Sequence, residues 1–162
     1  SPPQDAVVRK LADLGRGIYG APAYLRQHGV PASVAELGRH QTLSYLMTDE
    51  HRWHLRGADG SEHAHATTAR LRVNNTDCLL DAAVAGWGLA ILPSYLAGPE
   101  VAAGRLQHVL PELEPQTPFG PHLYACYTPS RRRAPKVRVL LDMLAAEFEP
   151  LPPWERAVRA AT

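Results

Sequence analysis

His51, His54, His63 and His65 form the densest group of metal-capable side chains in the chain. Imidazole suits zinc or copper, and His63 and His65 share one face if their segment is a strand. But no cysteine or carboxylate falls at the tight spacing of a structural zinc site. Ala58-Asp-Gly60 marks a turn between Arg56 and Ser61, so the histidines read as part of an exposed hairpin, and no metal is expected. Cys78 and Cys126 lie in apolar runs without paired spacing; they are expected as buried free thiols, which fits a reducing, cytoplasmic setting. Ser130-Arg-Arg-Arg133 offers guanidinium forks that match phosphate. Three arginines in a near-neutral chain are a small electrostatic footprint, however, and a solvated loop is the favoured reading. There is no Gly-x-Ser-x-Gly elbow, no Cys-x-x-Cys pair and no glycine-rich phosphate loop, so neither a catalyst nor a cofactor is expected.

The most informative stretch runs from Val73 to Leu96. It reads as a strand end, a helix capped by Asn75, a turn at Gly86 and Gly88, and a strand over Leu89 to Leu92 that stops at Pro93. Helix N-termini carry unpaired N–H groups and partial positive charge, so such an element suits a polar or anionic small molecule in the crevice beside it. Asn74, Asn75 and Thr76 could supply hydrogen bonds there, or Asn75 could simply cap the helix. Gly86 and Gly88 imitate a dinucleotide fingerprint, but that site needs strand, turn, helix, and here the order is reversed. Ser44, Tyr45 and Trp53 would make an aromatic wall with hydroxyls, or would equally serve as core.

The elements that must position these groups follow from periodicity and turn residues. Val7 to Leu14 and Gly17 to Tyr19 are β-prone; a helix follows with Pro22 in its first turn and Gly29 past its end. Ser33-Val-Ala-Glu36 predicts a helix opened by a capping box. Thr42 to Met47, Arg52 to Arg56 and Leu71 to Val73 read as strands, and Pro99 to Pro121 as a loop-rich stretch broken by a strand around Leu106 to Leu110. His122 to Tyr127 is another strand. Val137, Leu140, Leu141, Leu144 and Phe148 form the stripe of a helix packed on a sheet; Pro150 to Trp154 ends it, and the last residues are expected to fray. Alternating strands and helices imply a largely parallel, helix-covered sheet. The length of 162 residues allows one domain or two small lobes, and a formal charge of +1 lacks the field of a stand-alone nucleic-acid binder. No apolar run is long enough to span a bilayer, and no membrane partner is expected.

Over about Val8 to Phe148 the chain resembles the effector-binding domain of LysR-type transcriptional regulators. The blocks that carry the resemblance begin with Gly20-Ala-Pro-Ala-Tyr-Leu25, Arg26-Gln-His-Gly-Val-Pro31, Ala35-Glu-Leu-Gly-Arg-His40 and the strand around Trp53. They continue with Asn74-Asn-Thr-Asp77, Ala85-Gly-Trp-Gly-Leu-Ala-Ile-Leu-Pro93, Gly104-Arg-Leu106, Val109-Leu-Pro111 and Lys136-Val-Arg-Val-Leu-Leu-Asp142. The resemblance implies an α/β fold of the type 2 periplasmic-binding-protein kind: two lobes with mixed, mostly parallel sheets and an effector in the cleft between them. It further implies that the first lobe is incomplete here. Residues 1–16 would be a crossover and remnant of that lobe, 17–115 the second lobe, 116–149 the returning strand and helix, and 150–162 a tail.

By the same resemblance the expected partners are a small-molecule effector, of aromatic or carboxylic acid type, and further copies of the chain in a homodimer or homotetramer. Promoter DNA would be reached only through an N-terminal domain that these residues lack. Ala21, Pro22, Ser44, Tyr45, Asn75, Thr76 and Gly88 are the expected effector-binding residues. Family members usually carry serine where this chain has Ala21 and Ala134, so weaker helix caps are expected, by about 1 kcal/mol at Ala21. A solute-binding protein of a transport system, with the same fold, is the alternative.

Overall fold

The structure, a computed structural model, describes residues 6–46, 52–131 and 134–160. Strand β1 (Val7–Asp13) leads into β2 (Arg16–Gly20), helix α1 (Pro22–His28), a 3-10 helix at Val34–Arg39 and β3 (Thr42–Tyr45). The hairpin β4 (Arg52–Gly57) and β5 (Glu62–Ala66) follows, then β6 (Ala69–Val73), α2 (Thr76–Val84), β7 (Leu89–Pro93) and α3 (Ser94–Ala102). Strands β8 (Gln107–Val109), β9 (Leu113–Gln116) and β10 (His122–Tyr127) precede α4 (Pro135–Phe148) and α5 (Pro153–Ala160).

The centre is a five-stranded sheet in the order β6-β3-β7-β2-β8. Strand β3 runs parallel to β6 and β7, whereas β2 runs antiparallel to β7 and β8. A three-stranded sheet β5-β4-β9 and a two-stranded ribbon β1-β10 are antiparallel. The sheets are therefore mixed, and among the described residues the parallel pairings are confined to β3. Alternation along each central strand sends side chains into two layers. Ile18 and Leu89 point to one, with Leu25, Leu37, Trp53 and Leu55; Tyr19, Ala90 and Leu92 point to the other, with Leu79, Ala83, Ala97 and Val158. One face of the sheet thus packs on α1 and β4, the other on α2, α3 and α5. Burying a leucine such as Leu43 or Leu79 contributes about 1.5–3 kcal/mol.

Several expectations are corrected. The segment from Ser33 is a 3-10 helix, and Ser33 makes no side-chain cap; Glu36 instead accepts the Ala32 N–H at 2.8 Å, half of a capping box displaced by one residue. The stretch from Pro99 is less irregular than its prolines suggest: α3 continues through Pro99, and β9 pairs with β4. Helix α3 loses one backbone donor there but buries Ala97, Gly98 and Val101, and packing overrides propensity. In α4 only Leu141 of the predicted stripe is fully buried, while Leu140 is half exposed. The tail is not frayed over Pro153–Ala160, which form α5 against α3. Cys78 and Cys126 are both exposed rather than buried, because their elements turn those positions to solvent even though the flanking residues are apolar.

Candidate functional site

A cavity of about 530 Å³ opens where strand ends, helix starts and chain crossings meet. That size falls within the roughly 300–1,000 Å³ of small-molecule sites. Tyr45 and Pro93, the last residues of the parallel strands β3 and β7, form part of it, as do Thr76 and Tyr95 from the first turns of α2 and α3. The carboxyl ends of parallel strands are where open α/β sheets leave a crevice. Trp53 and His54 of β4 form another wall.

The remaining wall comes from two crossings between the ribbon and the larger sheets. Leu14 and Arg16 lie on the first, Gln116, Thr117, Pro118 and Phe119 on the second. The crossings run side by side: Leu14 N–H donates to Pro121 O at 2.7 Å, and Arg16 Nη1 to Gly120 O at 3.3 Å. Arg16 Cζ lies 5.9 Å from the centre of the Phe119 ring, and that ring meets Tyr45 edge-on at 5.9 Å. Burial lowers the Arg16 guanidinium from its ordinary value, with Tyr95 and Glu114 opposing the shift, and guanidinium stays charged in proteins. Among the described residues the lining holds Arg16, Arg52 and His54 but no aspartate or glutamate. Aromatic surface with basic groups and no carboxylate suits an anion with a flat apolar body.

Of the expected effector-binding residues, Tyr45 and Thr76 line this cavity, and so do Trp53 and His54. Asn75 caps α2, its Oδ1 accepting the Asp77 and Cys78 N–H groups at 2.8 and 3.2 Å. Two of the donors that the helix start could have offered a ligand are therefore used internally, and Asn75 acts by fixing Thr76 in place. Ser44 lies buried on β3 with no hydrogen-bond partner for its hydroxyl among the described residues, on the strand face opposite Leu43 and Tyr45. Ala21 is a buried N-cap without a side-chain bond, and Pro22 follows it as the first residue of α1. Gly88 packs on the backbone of Gln41. These residues, Ala21, Pro22, Ser44, Asn75 and Gly88, are outside the lining. Arg16, Phe119 and Thr117 carried no local signal in the sequence, since they become neighbours only when the crossings pair.

The histidines do not converge. His63 and His65 share the face of Leu55 and Trp53 across the hairpin, while His54 lies opposite Ala64 on the other face. His51 lies outside the described residues, as do Arg132 and Arg133 of the arginine run.

The comparisons agree with this architecture. A family model described as the LysR substrate binding domain matches residues 1–149. The transcriptional regulator PgrR of Escherichia coli is 37% identical over 131 residues, covering 78% of this chain and 42% of that protein. The regulator CrgA of Neisseria meningitidis serogroup C is 30% identical over 145 residues, covering 86% of this chain and 46% of that protein. The chain thus spans less than half the length of these curated relatives. The solved CrgA regulatory domain superimposes with a TM-score of 0.70 at 27% identity, covering 89% of this chain and 69% of that one. The regulatory domain of AphB from Vibrio vulnificus, at 21% identity, shares the fold with a TM-score of 0.71, over 90% of this chain and 72% of its own. Relatives named as transcriptional regulators favour a regulatory reading over a solute-binding protein of a transport system. A match over nearly the whole chain carries one conclusion: the chain belongs to the LysR substrate binding domain family.

Proposed function

We propose that this chain is the effector-sensing part of a LysR-type transcription regulator, a sensor rather than a catalyst, acting in the cytoplasm. A small molecule in the cavity beside the two crossings would favour one arrangement of the bodies over another. DNA-binding segments elsewhere in the full-length protein would respond to that population shift. In this reading residues 17–115 form the second lobe, residues 1–16 and 116–149 belong to the first, and 150–162 are a tail that is helical over Pro153–Ala160. Tyr45, Thr76, Arg16 and Phe119 contact the effector, while Asn75 and Gly88 hold the walls in place.

The observation that carries the proposal is the composition of the cavity lining, in which Arg16, Arg52 and His54 stand among aromatic rings and, among the described residues, no aspartate or glutamate is present. It supports an aromatic carboxylate as effector. Val8, Tyr124, Val139, Leu140 and Met143, exposed on the ribbon and α4, support association of this body with more protein, in the full-length dimer or tetramer.

The test is a thermal-shift panel on the full-length protein with small aromatic acids, aliphatic acids and the matching neutral amides. Aromatic acids should raise the midpoint in step with the logarithm of concentration, while amides should not. Equal shifts from acids and amides would remove the anion from the reading, and no shift from any compound would remove the ligand.

A further inference from the structure

Helix α5 begins at Pro153, past residue 149 where the family match ends. Its seat is specific. Val158 is buried in the layer shared with α3, and the Trp154 ring lies 5.1 Å from that of Phe148 at the end of α4. A Cβ on Gly98 of α3 would meet the Trp154 carbonyl oxygen at 2.6 Å, so glycine lets the two backbones close up. The helix therefore touches α3 and the end of α4 at once.

From that seat Glu155 reaches the first crossing. Its Oε1 accepts the Gly15 N–H at 2.9 Å and is in short contact with the Ser94 hydroxyl. Ser94, buried at the start of α3, returns to the same residue: its N–H donates to Gly15 O at 2.9 Å, and its hydroxyl lies 3.0 Å from that oxygen. A Cβ at position 15 would stand 2.6 Å from Glu155 Oε1, so this close grip requires glycine. Both ends of the clasp adjoin the cavity in sequence, Gly15 preceding Arg16 and Ser94 lying between Pro93 and Tyr95.

We propose that α5 is a built-in strap and Glu155 a positioning residue: by tying Gly15 to the start of α3, it holds Arg16 at the cavity wall. Gly15 has the widest backbone freedom of any residue type, so a tie at its N–H adds to the β2–β7 pairing that already sets Arg16 opposite Pro93. A charge-assisted acceptor for the Gly15 N–H supplies that tie. The consequence for ligand binding rests on the effector reading of the cavity; the strap itself does not.

The experiment compares full-length wild type, Glu155→Ala and Glu155→Gln by hydrogen exchange, following peptides over Leu14–Arg16 and over β3 and β7. Losing the acceptor should speed exchange at Leu14–Arg16 about tenfold or more, with β3 and β7 unchanged. Glu155→Gln keeps a carbonyl oxygen for the Gly15 N–H and should stay within about threefold of wild type. Unchanged exchange in Glu155→Ala, or equal acceleration everywhere, would overturn the strap. A parallel titration with benzoate separates the two readings. Weaker binding to Glu155→Ala than to Glu155→Gln supports the coupling to Arg16, and equal binding overturns it. Failure of benzoate to bind wild type counts against the aromatic-acid reading, while the exchange data still decide the strap.

Discussion

Gly88 stands directly against the backbone of Gln41: a Cβ at position 88 would lie 2.5 Å from the Gln41 carbonyl oxygen, which already accepts the Leu89 N–H at 2.9 Å. The Gln41 segment has little room to yield, because its own N–H donates to Tyr24 Oη at 2.8 Å. Gly88→Ala should therefore destabilise the fold by about 1–3 kcal/mol, the cost of overpacking. Urea unfolding should show a lower midpoint at an unchanged slope. A wild-type midpoint would mean that the β3–β7 region tolerates the extra methyl.

The helix caps should respond in opposite directions. Asn75 satisfies two N–H groups of α2, so Asn75→Ala should cost about 1 kcal/mol. Ala134 caps α4 with extended backbone and no side-chain bond. Ala134→Ser supplies the missing acceptor and should stabilise by up to about 1 kcal/mol. Thermal melts of the two variants check both signs.

Stability should fall on mild acidification. Burial holds His108 below its ordinary value of 6.5, against the pull of Glu155 and Glu112. His40 and His65 are lowered by burial in the same sense. The unfolded chain then takes up protons first, so the contribution is fully present above pH 6.5 and is lost as pH falls through the lowered folded values. Asp13 and Glu100, held down mainly by Lys10 and Arg105, add their own loss below their ordinary values of 3.8 and 4.5. His108→Phe keeps a ring to stack on Tyr19 and should flatten the pH dependence below pH 6.5, where the lowered imidazole takes up its proton. An unchanged slope would assign the effect to other groups.

Both thiols should react in the folded state. Cys78 and Cys126 are exposed, so a thiol reagent should label both without denaturant. Labelling only after unfolding would contradict the exposed positions.

Arg16→Gln should separate charge from shape in the cavity. Loss of one charge-assisted contact, about 1.5–3 kcal/mol, corresponds to roughly 10–100-fold weaker binding of an aromatic carboxylate. The matching amide should be nearly unaffected. Equal losses for acid and amide would give Arg16 a packing role.

The features legible in the sequence are those made by neighbours along the chain. Asn75 as a cap, Gly29 past the end of α1, and the alternation of Leu89 to Leu92 between two layers need only a turn or two of backbone to be expressed. The family blocks ride on those same local signatures. Tyr45 and Thr76 fall at the cavity because strand ends and helix starts meet there in this architecture.

What only the tertiary structure decided are contacts between distant residues. Pro99 sits inside a helix because Ala97 and Val101 are buried, and the tail is helical because Val158 and Trp154 find surfaces on other elements. Arg16 becomes a cavity wall through a partner 104 residues away, and Glu155 holds Gly15 from 140 residues away. Local propensity amounts to a few tenths of a kcal/mol per residue and reaches no further than its own element. Burial and long-range hydrogen bonds are larger, but they exist only once the chain has crossed back on itself.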